Sequence, residues 1–182
     1  VLVAITRAFK RKHSETIGNF WVDLTRSTVY ILLPLSFVTA IALVWQGVPQ
    51  TTDGSETAAL LDAQPGVLAD DAPAGTVAPP ITEQGIAVGP VASQVAIKQL
   101  GTNGGGFYNV NSAHPLENPT PLSNFIEDLA IILIPAGLCF MFGRMVGSRK
   151  QGVALLVTMS LLIAPFGVLT LHQEQAVNPT FT

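Results

Sequence analysis

Four glycines fall within six residues in the run Gly101-Thr102-Asn103-Gly104-Gly105-Gly106, which continues into Phe107-Tyr108-Asn109. Glycine has no Cβ, so such a run can take backbone angles that aim several carbonyls at one point. Bare carbonyls around a common axis replace the hydration shell of a cation. The carbonyls of Gly101, Thr102, Asn103, Gly104 and Gly105 are therefore candidate cation ligands, with Gly106 closing the run. Phe107 and Tyr108 are placed to wedge this loop against neighbouring helices. A nucleotide P-loop is excluded, because it needs Lys and Ser or Thr after its last glycine, and here Phe107 and Tyr108 follow. A plain flexible turn is the competing reading of the glycines alone.

The neighbours of the run are polar. Asn109, Asn111, Ser112, His114, Glu117, Asn118 and Asn124 follow it, stiffened by Pro115, Pro119 and Pro121. They read either as filter support and a vestibule, with Asn109 and Asn111 nearest, or as an outer loop using ordinary turn chemistry. Lys98 is a cation one turn before a proposed cation site, which points it toward solvent or a carboxylate rather than the ion. Glu127 and Asp128 suit attraction of cations, and equally suit a helix N-terminus. Other chemistries are poorly served. The single Cys139 lies in an apolar run, and His13, His114 and His172 lack metal-ligand spacing. Asn118-Pro119-Thr120 and Asn178-Pro179-Thr180 carry proline where a glycosylation site forbids it. No catalytic residue, organic cofactor or metal other than a transported ion is expected.

The elements that must position the run are those of an integral membrane protein. The chain is 48% hydrophobic and 12% charged, half the charge of a typical soluble domain at about 25%. A net charge of −3 argues against a nucleic-acid partner. Three stretches are apolar enough to span a bilayer: 28–45, 125–146 and 153–171, the last interrupted by Pro165 and Gly167. Between the first two, residues 46–89 read as a surface loop without periodicity. Residues 90–124 hold a short helix over Val91–Leu100, the glycine loop and the vestibule. Pro90 suits that helix's start and Gly101 its stop. Residues 147–152 form a turn and 172–182 a tail. Residues 1–27 combine an apolar start with the basic Lys10-Arg11-Lys12, as if ending an earlier membrane helix, so a fragment is expected.

Charge orients these spans. Arg7, Lys10, Arg11, Lys12 and Arg26 precede the first, and Arg144, Arg149 and Lys150 sit at the turn between the second and third. The connection from Gln46 to Leu122 carries Asp53, Glu56, Asp62, Asp70, Asp71, Glu83 and Glu117, with Lys98 its one basic residue. The positive-inside rule puts residues 1–27 and 147–152 in the cytoplasm and the glycine loop outside. The basic cluster also suits anionic lipid.

Five stretches carry a specific resemblance: Gly18-Asn19-Phe20-Trp21-Val22-Asp23-Leu24-Thr25-Arg26, Gly89-Pro90-Val91-Ala92-Ser93-Gln94, Gly101 through Pro115, Glu117-Asn118-Pro119-Thr120-Pro121 and Phe142-Gly143-Arg144-Met145-Val146-Gly147. In this order they resemble the potassium-binding A subunit of bacterial Kdp potassium-transporting ATPases. The resemblance covers nearly the whole chain except Gln50–Gln84, with Tyr108 standing where Phe is more usual. It implies an all-α membrane fold of the potassium-channel-like superfamily of K+ transporters. The chain would hold one helix–pore-loop–helix repeat, the second of four, plus one further transmembrane helix opening the next. It also implies K+ as transported ion, bound at Thr102, Asn103, Gly104 and Gly105 and less directly at Gly101 and Gly106. The implied partners are the catalytic B subunit, a P-type ATPase that hydrolyses ATP, together with the small C subunit and a one-span peptide. The implied location is the bacterial inner membrane. A passive homo-oligomeric cation channel and a structural membrane component without an ion path are the alternatives.

Overall fold

The computed structural model describes residues 1–11, 16–66, 77–102 and 104–176. Asn103, Lys12, His13, Asp70, Asp71 and the Asn178-Pro179-Thr180 motif lie outside the described residues. Helix α1 covers Leu2–Lys10 and α2 covers Phe20–Trp45. The ribbon strands are β1, Ser55–Gln64, and β2, Ile81–Ala87. Helices α3, Val91–Gly101, α4, Pro121–Met145, and α5, Arg149–Gln175, complete the order. Three of these, α2, α4 and α5, are long and apolar enough to cross a membrane. The chain is mostly helical, as expected, but the all-α expectation is corrected by the ribbon.

Each apolar helix starts before its apolar stretch. Helix α2 begins at Phe20, not Thr28, because Asn19 caps it: its Oδ1 accepts from the N–H groups of Trp21 and Val22 at 3.0 and 3.3 Å. Its middle, Thr28–Leu32, is π-helical, and Leu33 N–H reaches back five residues to Thr28 O. Pro34 supplies the reason. Its ring crowds the carbonyl four residues earlier and it has no N–H to give. One widened turn absorbs both defects without ending the helix. Helix α5 runs unbroken through Pro165 and Gly167.

The contacts divide the chain into two units, Val1–Leu33 with Ile131–Thr182, and Pro34–Ala130. In the first, Arg7 of α1 grips Asp23 of α2 through two bonds of 2.5 and 3.0 Å. Helices α4 and α5 meet there at two glycines. A Cβ on Gly152 would stand 2.6 Å from Cys139 O and 3.1 Å from Gly143 Cα, so only glycine at 152 permits this approach. Cys139 Sγ lies 3.6 Å from Met159 Sδ.

In the second unit, α2 ends in a Schellman motif. Gly47 takes φ +98°, its N–H bonds Val44 O, and Val48 N–H bonds Leu43 O, both at 3.0 Å. The buried Leu43 and Val48 are the apolar contact that accompanies such an end. They join Val91, Ala92, Val95 and Ala96 of α3 in one core, against which Ala40, Tyr108 and Ile126 pack. The N-terminal amides of α3 find distant partners: Ala92 N–H bonds Pro49 O and Ser93 N–H bonds Gln50 Oε1, both at 2.9 Å.

Where a structureless loop was expected over 46–89, β1 and β2 pair antiparallel. Ser55 faces Ala87 and Ala59 faces Glu83, and the register then shifts before Gln64 meets Ile81. Both faces of this two-stranded ribbon are largely exposed, so its sequence has no reason to alternate apolar with polar residues. That is why no strand is legible in it.

Candidate functional site at the glycine loop

Helix α3 is eleven residues long, about 16 Å at 1.5 Å per residue, too short to span. Most of its circumference is buried, including Lys98, Gln99 and Leu100 near its end. The stop falls one residue later than expected. Gly101 is still helical, and Thr102 makes the left-handed turn at φ +55°. Thr102 and Ser112 are the two non-glycine residues with positive φ among the described residues, and they bracket the loop. Left-handed angles cost an L-residue roughly 1–2 kcal/mol. Such strain persists only where surrounding contacts over-determine the backbone.

Between them Gly104, Gly105 and Gly106 take φ +72°, +99° and +131° in succession. Three consecutive positive-φ residues give a path that no ordinary L-sequence adopts. Their surroundings differ. A Cβ on Gly105 would meet nothing within 4 Å, whereas one on Gly104 would stand 3.4 Å from Val110 Cβ. On Gly106 it would lie 2.6 Å from Glu117 Oε1 and 3.0 Å from Lys98 Nζ. The three glycines and Gln94, Ile97 and Lys98 of α3 line a cavity of about 190 Å³.

Lys98 and Glu117 form an ion pair of 3.1 Å whose side chains are 2% and 0% exposed. The lysine thus meets a carboxylate, one of the two destinations expected for it. Its Nζ also donates to Asn109 O at 2.9 Å. Next to it on α3, Gln99 Nε2 donates to Ser112 Oγ at 2.9 Å and to Glu127 Oε2 at 2.7 Å. Two adjacent residues of α3 therefore hold the returning chain at Asn109, Ser112, Glu117 and Glu127. Glu127 is the seventh residue of α4 and is buried, so the helix-terminus reading of it is corrected. Among the described residues, Gln94 Oε1, Glu117 Oε1 and Glu127 Oε1 are buried acceptors with no hydrogen-bond partner.

The aromatic pair after the glycines meets residues of the connections before and after the loop. The Phe107 ring stands 3.2 Å from where a Gly89 Cβ would be. Tyr108 stacks on His114 with centroids 4.0 Å apart and planes 7° apart, and its hydroxyl donates to Ala87 O. Burial, and then the charge of Glu117, push the Tyr108 phenol above its ordinary value. Asn109 Oδ1 accepts from Asn111 N–H at 2.6 Å. Further on, Thr120 and Ser123 bond reciprocally around Pro121, the first residue of α4. Ser123 Oγ also donates to Asn118 Oδ1 at 2.5 Å. Much of the vestibule stretch is therefore helix-capping chemistry.

A family model described as the potassium-transporting ATPase A subunit matches residues 1–182, the entire chain. The chain belongs to this family. It is 59% identical over 185 residues to the potassium-transporting ATPase potassium-binding subunit of Solidesulfovibrio magneticus, of which it covers 31%. The subunits of the same name from Herpetosiphon aurantiacus and Methanoregula boonei are 59% and 53% identical, and it covers 30% of each. In every case all of this chain is aligned, so it spans about 30% of the length of these relatives. Within this A-subunit segment, Gly104, Gly105, Gly106 and the Asn109 carbonyl meet α3, while Phe107 packs at Gly89 and Tyr108 at Ala87 and His114. The buried Lys98–Glu117 and Gln99–Glu127 pairs behind them were not foreseen as pairs. A signal for them existed. Lys98 and Gln99 are polar on a helix whose other buried positions, Val91, Ala92, Val95, Ala96 and Leu100, are apolar, which marks the two as needing polar partners without saying which.

Proposed function

We propose that this chain contributes one pore loop to a potassium selectivity filter, as part of the potassium-binding subunit of an ATP-driven importer. The observation that carries the reading is the succession of positive φ at Gly104, Gly105 and Gly106, directly after a buried helix too short to span. The ligands in this reading are backbone carbonyls of Gly101, Thr102, Asn103, Gly104, Gly105 and Gly106. The negative end of the α3 dipole favours a cation at the same place. Phe107, Tyr108, Asn109 and Asn111 keep the loop in shape. Helices α2 and α4 flank the loop as the two spans of a channel-like repeat, and α5 opens the next.

The relatives' shared name supports potassium as the ion. Their length supports several loops within one chain rather than four copies of a single-loop protein, since this segment fills only about 30% of each. ATP hydrolysis then belongs to a separate catalytic B subunit of the P-type class, with the small C subunit and a one-span peptide completing the complex. The chain sits in the bacterial inner membrane, with lipid against its apolar helices and the α4–α5 turn in the cytoplasm.

Gly105→Ala in the full-length protein is the decisive variant. Its Cβ meets nothing, so it perturbs only the backbone angle. The expected outcome is weaker apparent potassium affinity for uptake and looser discrimination against rubidium and ammonium. Wild-type potassium dependence in this variant would remove the filter assignment.

A further inference from the structure

We infer that the buried Lys98–Glu117 pair is the positioning device of the filter loop, and that its lysine acts through the Asn109 carbonyl. This rests on the filter reading above. The ammonium of Lys98 makes two bonds, to Glu117 Oε2 at 3.1 Å and to Asn109 O at 2.9 Å. The first fixes where the ammonium stands; the second fixes the backbone three residues after Gly106. Gly106 itself lies against both groups, since an added Cβ would come within 2.6 Å of the carboxylate and 3.0 Å of the ammonium. The pair therefore touches the loop at two points, and it lines the same cavity as Gly104 and Gly105 through Lys98.

Charge explains why a pair stands there rather than a lone donor. A lysine alone would present a buried positive charge to a loop that receives cations. Glu117 offsets it, so the loop keeps an N–H donor at Asn109 O without a net repulsive charge behind it. Burial at 2% and 0% exposure keeps water from substituting for either bond.

The test is the double variant Lys98→Met/Glu117→Gln in the full-length protein assembled with its ATPase partner. It keeps the site neutral and removes the tether to Asn109 O. A purely architectural pair predicts that this neutral replacement restores assembly and transport together. The positioning role predicts normal assembly with apparent potassium affinity lowered about tenfold, the effect of one lost charged hydrogen bond, and a lower potassium-to-rubidium preference. Wild-type affinity and selectivity in the assembled double variant would overturn the inference. If that variant does not reach the membrane, Glu117→Asp decides instead. It retains the charge and retracts the carboxylate, drawing Lys98 from Asn109 O. Lowered affinity at normal assembly supports the role, and unchanged affinity overturns it. Gly105→Ala run in parallel separates the two failures. If it alters potassium dependence while the pair variants do not, the filter stands and the positioning role falls. If none of them alters it, the filter reading falls too.

Discussion

At the scale of single residues, the three loop glycines are not equivalent. Gly105 demands only its backbone angle, while Gly106 demands that angle and also the space in front of Glu117 and Lys98. Gly106→Ala is therefore expected to lose more stability than Gly105→Ala, by roughly 1–3 kcal/mol for forcing a methyl into a packed place. Thermal melting of the two detergent-solubilised variants checks the order. Tyr108 is a second local case. Its hydroxyl donates to Ala87 O, and Tyr108→Phe removes that bond at a cost of about 0.5–1.5 kcal/mol. The phenol also carries a pH signature. Because the folded state raises its pKa, the protonated form is favoured by folding. Its contribution is complete below the unfolded value near 10.0 and is lost as pH rises through the folded value. In a Tyr30→Phe background, which leaves Tyr108 the only tyrosine, phenolate absorbance should rise later than in the denatured chain. Coincident titrations would contradict the burial.

At the scale of elements, the helix ends and crossings decide the architecture. Gly152 sets the approach of α4 and α5, because a side chain there meets Cys139 O and Gly143. Gly152→Leu is expected to push the two helices apart and lower the amount of assembled protein in the membrane, while Gly137→Leu, whose Cβ meets nothing, is tolerated. Quantifying membrane-inserted protein for both variants checks this. The elements also show what local sequence conveys. Three apolar stretches announced three spans, and Pro90 announced the start of α3. The starts of α2 and α4 lay before the apolar stretches because caps set them: Asn19 starts α2, and Thr120 with Ser123 starts α4. The ribbon of β1 and β2 gave no such signal, since neither face is buried enough to require alternation.

At the scale of the whole molecule, the apolar surfaces are far from covered. Only 6% of the most apolar stretch of α5 is buried within the chain, and 11% of that of α2. For helices of membrane-spanning length this exposure fits lipid contact and the remainder of a longer protein. In the proposed filter reading, a cation shell also needs several loops around one axis, and the sequence of this chain holds one such glycine run. On that reading the isolated chain is expected to bind potassium weakly and without selectivity, and the full-length protein to bind it more tightly. Calorimetric titration with potassium and sodium on both proteins checks this, and tight selective binding by the isolated chain would contradict it.

By itself the amino-acid sequence determined the membrane class, three apolar helices, a short helix and a glycine run whose backbone is freed from the usual angles. Those features are local: they follow from transfer of apolar side chains out of water and from the absence of Cβ atoms. Only the tertiary structure decided that Lys98 meets Glu117, that Gln99 meets Glu127, and that Thr102 rather than Gly101 makes the left-handed turn. Such pairings depend on where the chain returns after 19 or 28 residues, and no period in the sequence encodes a return. The burial of α3 explains why they matter, since a lysine and two glutamates beneath a core of Val and Ala persist only when each meets its partner.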